Sequence, residues 1–253
     1  MTDETGSLEM ETVSAIEQKE FLRFSLVFRL QHIVLFLGVI ALIITGLPLR
    51  YHDTRWAEAF FQAMGGVMVS GLVHRVAASA LIAVGVFHMY YILFLKEGRE
   101  HLREMLPRPK DVTDVIRNVF YFFGFVNDSP KFGRFSYVEK FDYWAVYWGM
   151  VIMIGTGLML WFANQSMVLL PKIIMDVARE VHSDEALLAT LAIVVWHFYN
   201  VHFKPGQFPV NWSWLTGKIS EDEIKRDHPL EYEKLAAERE AASTGTEVKE
   251  EQC

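Results

Sequence analysis

The stretch that most constrains this chain is apolar, long enough to cross a membrane, and carries two histidines. It runs from Val73 to Tyr91 and holds His74 and His88, which are fourteen positions apart. Fourteen residues is close to four turns of an α-helix, so both imidazoles leave one side of the helix, roughly 21 Å apart along its axis. An ionisable side chain inside a membrane segment usually has a function. The stretch therefore predicts a functional site near each face of a bilayer.

Three further segments are apolar and long enough to span a ~30 Å hydrocarbon core. The first helix of the chain holds His32 near its start, the third is free of charge from Tyr143 to Phe162, and the fourth has histidines near both ends. We predict an all-α integral membrane protein, a four-transmembrane-helix bundle with helices at about 26–49, 69–95, 142–163 and 182–203. A polar tail precedes this membrane domain and a charged tail follows it, so the predicted boundaries are 1–23, 24–203 and 204–253.

Positive charge is concentrated between the second and third helices. Residues 96–140 hold nine Lys and Arg, whereas each of the other two connections holds two. By the positive-inside rule, this connection and both termini are cytoplasmic. Its apolar piece, residues 115–126, is too short to span and is expected to lie in the interface. The orientation places two histidines toward the outside, His74 and His182, and four toward the cytoplasm, His32, His88, His197 and His202.

Cysteine usage limits the possible redox chemistry. The single cysteine, Cys253, is the last residue, so the sequence has no paired-cysteine haem attachment, no iron–sulfur ligand set and no disulfide framework. A haem in this chain would be held noncovalently, as haem b. The net charge of −7 comes from acidic ends, and no basic patch indicates nucleic acid. The acidic N-terminus lacks the basic start of a cleavable signal peptide, so we expect the first helix to serve as an uncleaved insertion signal.

The histidines are too many and too ordered for packing alone. One membrane histidine is readily explained by an interhelical hydrogen bond, but six of nine here lie in or at the ends of three helices, at two depths. Imidazole is a standard axial ligand of haem iron, so the pattern favours haem. Histidines at the same depth in the membrane can bind the same haem. This pairs His74 with His182 at an outer haem, and His32 with His197 at an inner haem.

Two histidines remain beyond these pairs. His88 could replace His32, bind a third haem with His202, or act as a hydrogen-bonding partner. His202 follows His197 by five residues, so a regular α-helix would point it ~140° away. Arginines near helix ends could pair with haem propionates or anchor the helices at the interface: Arg29, Arg50 and Arg75.

Several motifs, in this order, resemble the cytochrome b subunits of respiratory enzymes, most closely the gamma subunit of membrane-bound formate dehydrogenase. They are the Thr45-Gly46-x-Pro48 exit of the first helix, the position of His74, and the third-helix stretch Glu139–Trp161. The likeness continues on the fourth helix, in the motifs VH and HFY, and in the tail, in the segments GKIS and HPLEYEK. The resemblance covers roughly residues 24–235.

The resemblance implies a four-helix diheme protein of the bacterial cytoplasmic membrane that passes electrons between a quinone and an outer partner subunit. The resemblance implies that the haem ligands of this chain are His32, His74, His182 and His197. It places a quinone pocket by the inner haem, near the start of helix three, at Ser136, Tyr137, Glu139 and Lys140. This chain departs from the family in three ways. The spacing between His182 and His197 is fifteen residues, where the family has fourteen. His88 and His202 are additional, and Ser136 occupies the position of the family's polar pocket residue.

We expect two b-type haems, or three if His88 and His202 form a further pair, to link an outer redox subunit with menaquinone or ubiquinone. That partner, an iron–sulfur protein or a cytochrome c, would dock near His52, Arg55 and residues 164–180. Candidates for hydrogen bonding or proton delivery to the quinone are Ser136, Glu139, His88 and His202. The alternatives are a stand-alone transmembrane b-type reductase, a proton-coupled transporter with a histidine relay, and a membrane anchor that the haems only stabilise.

Overall fold

The computed structural model describes residues 20–250, with side chains as far as Arg239 and at Ala241. In chain order its elements are β1 (Glu20–Leu22), α1 (Leu26–Arg50), α2 (Arg55–Ala63), α3 (Val67–Phe94), α4 (Lys96–Met105), α5 (Pro109–Phe122), α6 (Tyr137–Trp161), α7 (Ala163–Leu169), α8 (Lys172–Leu191), two π-helical segments (Ala192–His197 and Tyr199–Phe203), α9 (Ser213–Thr216), β2 (Lys218–Ser220), α10 (Glu221–Asp227) and α11 (Pro229–Glu250).

Within residues 20–250, four helices are long and apolar enough to cross a membrane, which confirms the predicted four-helix class. They are α1, α3, α6, and α8 with its π-helical continuation to Phe203. Two of them begin earlier than predicted: the third at Tyr137 instead of 142, and the fourth at Lys172 instead of 182. The connection at residues 164–180 is consequently mostly helical, formed by α7 and the first turns of α8.

A capping box explains the early start of α6. Ser136 is the N-cap residue: its hydroxyl accepts the backbone N–H of Glu139, and the Glu139 carboxylate accepts the backbone N–H of Ser136 at 2.7 Å. This reciprocal arrangement satisfies two N–H groups that the first turn leaves without helical partners. The sequence S-x-x-E thus starts the helix ahead of its apolar stretch.

The chain divides into two compact units, of which Leu26–Ile116 with Phe135–Asn211 contains the membrane helices. Here α1 packs against α3, α6 packs against α8, and α8 also contacts α1. Gly38 permits the close approach of α1 to α3, since a Cβ at this position would lie 3.0 Å from Leu81 Cδ1. Most other large apolar side chains of these helices are exposed, as expected for surfaces that face lipid.

The first turns of α5 are amphipathic. Val112, Val115 and Ile116 are exposed, whereas Asp114 is buried and paired with Lys110 at 2.5 Å. An exposed apolar face opposite a polar face is typical of a helix that lies in a membrane interface. The residues described in this part of the 96–140 connection fit the predicted interfacial location.

The second unit contains residues 117–134, 212–253 and the N-terminal residues up to 25. In its described part, β1 pairs antiparallel with β2, with Phe21 opposite Ile219. Phe21, Ile219 and Ile224 form a small core that Tyr232 and Leu235 cover. The two segments predicted as tails are therefore joined by a sheet, which local polarity did not reveal. Residues 1–19 of the predicted N-terminal tail, and Cys253, lie outside the described residues.

Candidate haem sites

The structure brings the imidazole rings of His74 in α3 and His182 in α8 close together, edge to face. Their ring centres are 6.5 Å apart and their ring planes are inclined by 64°. Two imidazoles on opposite sides of one metal ion, with metal–nitrogen bonds of ~2 Å, would place their ring centres roughly 6 Å apart. We call these two residues the outer pair. Their separation fits one iron held between the two rings.

Each imidazole of the outer pair is held at Nδ1 by a threonine. Thr45 Oγ1 lies 2.9 Å from His74 Nδ1, and Thr156 Oγ1 lies 2.9 Å from His182 Nδ1. Each hydroxyl donates its own hydrogen to the carbonyl four residues earlier on its helix, at 2.7 Å. The hydroxyl oxygen therefore accepts Nδ1–H, and Nε2 is left with the lone pair that binds a metal.

The same local motif builds both halves of the outer pair. T-G-L-x-L occurs at Thr45–Leu49 in α1 and at Thr156–Leu160 in α6, and V-H occurs in both α3 and α8. The helix pairs α1–α3 and α6–α8 thus use the same means to hold a histidine. In the sequence these two T-G motifs contribute to the family resemblance, but nothing in them predicts a contact with the histidines. A search for internal repeats would have found the two motifs.

The glycine after each threonine leaves room for the imidazole. A Cβ at Gly157 would lie 3.0 Å from His182 Cε1, whereas a Cβ at Gly155 would meet nothing within 4 Å. We expect Gly157→Ala to displace the His182 ring and weaken haem retention at this site about tenfold. Gly155→Ala, on the same helix, should leave retention unchanged. The rate of haem transfer to an excess of an apo-haemoprotein measures the difference, and equal rates for the two variants would contradict the role given to Gly157.

The histidines predicted as the inner pair, His32 of α1 and His197, interact electrostatically, and His32 interacts in the same way with His202. Asp142 of α6 accepts the Nδ1–H of His197 at 3.0 Å, and its other carboxylate oxygen accepts Trp196 Nε1–H at 2.8 Å. A carboxylate on Nδ1 fixes the tautomer that presents Nε2 as a ligand. Sequence analysis did not identify Asp142, because 55 residues separate it from His197.

The helix around His197 is a π-helix, and this corrects the expected direction of His202. In segments Ala192–His197 and Tyr199–Phe203 the hydrogen bonds run from i to i+5. Residues five apart then stack on one side, as residues four apart do in an α-helix. The π-helical turn therefore moves His202 toward the side of His197, where a regular α-helix would turn it ~140° away, and the two rings interact electrostatically. The wider turn also absorbs one residue, which accommodates the fifteen-residue spacing from His182.

The profile of the prokaryotic cytochrome b561 family matches residues 23–206. The chain belongs to the prokaryotic cytochrome b561 family. It is a multi-pass membrane cytochrome that binds b-type haem and transfers electrons, in agreement with the four apolar helices and the paired histidines. The narrower likeness to the gamma subunit of formate dehydrogenase stays a prediction. A comparison with curated proteins gave no match.

His88 and His202 of this cytochrome b561 have protein partners at their ring nitrogens. His88 Nδ1 lies 2.8 Å from Gln31 Oε1, and His88 Nε2 lies 3.1 Å from the Tyr143 hydroxyl. This favours the hydrogen-bonding alternative for His88. His202 Nδ1 accepts the backbone N–H of Asn211 at 3.3 Å, so the neutral ring carries its hydrogen at Nε2. That tautomer suits hydrogen bonding better than iron ligation.

Of the three arginines proposed for haem propionates, Arg29 and Arg50 lie at the ends of α1, whereas Arg75 lies more than two turns inside α3. Arg50 forms an ion pair with Asp184 at 2.8 Å and a hydrogen bond to Ser183, both next to His182. Arg75 lies over the Trp161 ring, with its Cζ 5.9 Å from the ring centre. Arg29 is half-buried in the first turn of α1. Their role toward propionates stays a prediction.

The four residues proposed for the quinone pocket lie together at the start of α6. Ser136 and Glu139 form the capping box, and Tyr137 is the first residue of the helix. Lys140 is buried and contacts both carboxylate oxygens of Asp111 at 2.9 Å. Three of these side chains thus have structural roles, and a quinone site at this place stays a prediction.

Proposed function

We propose that this cytochrome is a subunit that carries electrons across the bacterial cytoplasmic membrane between an outer redox subunit and the quinone pool. The observation that supports this most directly is the close approach of His74 and His182, with both Nδ1 atoms held by threonine. The pair would hold one haem b through the two Nε2 atoms. Bound there, the haem would supply one-electron exchange.

The second histidine pair supports a two-haem protein. His182 and His197 lie fifteen residues apart on the same helical span, which corresponds to roughly 22 Å along an α-helix axis. Ligands near both ends of one helix can serve two centres, one toward each side of a ~30 Å hydrocarbon core. One centre would leave too long a gap for electron transfer, whereas two divide the distance.

The residues around the inner pair are suited to the proton exchange that accompanies quinone chemistry. A quinone takes up two electrons and two protons. The Tyr143 hydroxyl, the His88 ring and the Gln31 amide form a hydrogen-bonded chain within the membrane unit. Gln31 Nε2 donates to the Val27 carbonyl, so its oxygen accepts His88 Nδ1–H and His88 Nε2 accepts the tyrosine hydrogen. In this chain Gln31 orients the ring, and His88 and Tyr143 are the groups that could exchange a proton with menaquinone or ubiquinone.

An outer partner, either an iron–sulfur protein or a cytochrome c, would dock near His52, Arg55 and residues 164–180. Trp56 at the start of α2 is half exposed, and Val168 and Leu169 at the end of α7 are almost fully exposed. Exposed aromatic and aliphatic side chains that adjoin polar loops are typical of interaction surfaces. These features support that location.

The decisive experiment is a reduced-minus-oxidised optical spectrum of the purified full chain with pyridine haemochrome quantitation. We expect two b haems per chain, both reducible by a quinol. Three haems would bring in His88 and His202 as ligands. A colourless protein would contradict the proposal and favour the histidine relay of a transporter, and haems that a quinol cannot reduce would favour a membrane anchor. Reductase activity without any partner would favour the stand-alone enzyme.

A further inference from the structure

The two histidine pairs differ in the group that holds Nδ1. In the outer pair the acceptors are the hydroxyls of Thr45 and Thr156, which carry no charge. In the inner pair the acceptor on His197 is the carboxylate of Asp142, at 3.0 Å. The Asp142 side chain is 19% exposed and that of His197 is 34% exposed, so the contact is largely shielded. The protein therefore provides uncharged hydrogen-bond acceptors for the outer pair and an anionic acceptor for His197.

A carboxylate on Nδ1 changes the ligand itself. It draws the Nδ1 hydrogen toward itself, which increases the electron density at Nε2 and makes the imidazole a stronger donor. A stronger donor and a nearby negative charge stabilise the ferric iron more than the ferrous iron. A hydroxyl oxygen that already donates its hydrogen elsewhere does this much less, because charge-assisted hydrogen bonds are about twice as strong as neutral ones.

We propose that Asp142 is a positioning residue that lowers the reduction potential of the inner haem below that of the outer haem. The proposal rests on the proposed function, since it requires haem at His197. A lower potential makes the reduced inner haem a stronger reductant toward a quinone. Trp196 moderates the effect, because its Nε1–H donates to the second carboxylate oxygen of Asp142 at 2.8 Å and takes up part of the negative charge.

The test uses the full chain with its haems, titrated potentiometrically while each haem is followed optically. Asp142→Asn keeps an oxygen that can accept Nδ1–H and removes the charge. We expect the ferrous-to-ferric ratio of the inner haem at a fixed applied potential to rise about tenfold, equivalent to 59 mV for a one-electron couple. The potential of the outer haem should not change.

Two further variants give the matched comparisons. Trp196→Phe removes the hydrogen bond to Asp142 and leaves its charge, so the inner potential should fall, opposite to the change in Asp142→Asn. Thr156→Val removes the neutral acceptor of His182, so any shift should appear in the outer haem alone. Thr156→Ser should restore the original outer potential, because it keeps the hydroxyl.

Failure of the inference is distinguishable from failure of the proposed function. Haem content is measured first: a wild-type chain without haem contradicts the proposed function itself. With two haems present, an unchanged inner potential in Asp142→Asn, or an equal shift of both haems, would overturn the role of Asp142. If Asp142→Asn does not retain the inner haem, the inner-haem potential of Trp196→Phe is the test. An unchanged inner potential in Trp196→Phe would overturn the inference.

Discussion

Replacing His74 or His182 by alanine is expected to remove one haem and leave the other in place at least in part. The two ring centres are 6.5 Å apart, so under the proposed pairing each variant would remove one of the two residues that hold the same haem. The remaining imidazole holds haem from one side only, and the empty space left by the ring admits water or lipid. Pyridine haemochrome quantitation should fall from two haems per chain to about one, because ligand loss costs far more than the 10–100-fold typical of losing a supporting hydrogen bond.

The controls for this experiment are present in the same chain. His52 is exposed and contacts Asp53 after the end of α1, so His52→Ala should retain both haems. His197→Ala should remove the other haem, and its spectrum should differ from that of His182→Ala. If either member of the outer pair can be replaced without loss of haem, the proposed pairing is wrong. Loss of both haems from every histidine variant, including His52→Ala, would instead indicate misfolding.

Replacing Lys140 by alanine should strongly destabilise the protein. Lys140 Nζ contacts both carboxylate oxygens of Asp111 at 2.9 Å, and the two side chains are only 8% and 17% exposed. The variant would leave the Asp111 carboxylate largely buried and without its cation, which typically costs about 3–5 kcal/mol. Thermal unfolding in detergent, followed by circular dichroism, would measure the change in the midpoint.

An exposed pair of the same type provides the control. Lys172 and Asp176 form an ion pair at 2.6 Å, with 84% and 47% exposure. Lys172→Ala should cost no more than about 0.5 kcal/mol, because an exposed pair gains little from its charges. The double variant Lys140→Met with Asp111→Leu should recover most of the lost stability, since it leaves no unpaired charge. If Lys140→Ala is as stable as wild type but binds quinone less tightly, Lys140 belongs to the quinone pocket predicted from the sequence.

The sequence by itself determined the class of the molecule. Membrane spans follow from the length and apolarity of single segments, and these properties are local, so four spans could be counted before any tertiary contact was known. The positions of His74 and His182 along their helices follow from helical rise in the same way. A single cysteine at the end of the chain was sufficient to expect noncovalent b-type haem. The boundaries were less accurate, because the capping box at Ser136 extends α6 beyond its apolar residues.

Only the tertiary structure decided which groups hold the ligands. Thr45 reaches His74 across 29 positions of the chain, and Asp142 reaches His197 across 55. Such partners depend on how neighbouring helices are rotated and shifted against one another, which no local pattern encodes. The direction of His202 depends on a change from α-helical to π-helical hydrogen bonding, which moves every later side chain around the axis. The sequence thus located the histidines along the membrane, and the packing of the helices determined their hydrogen-bond partners, and with them the tautomers and the charge next to each ring.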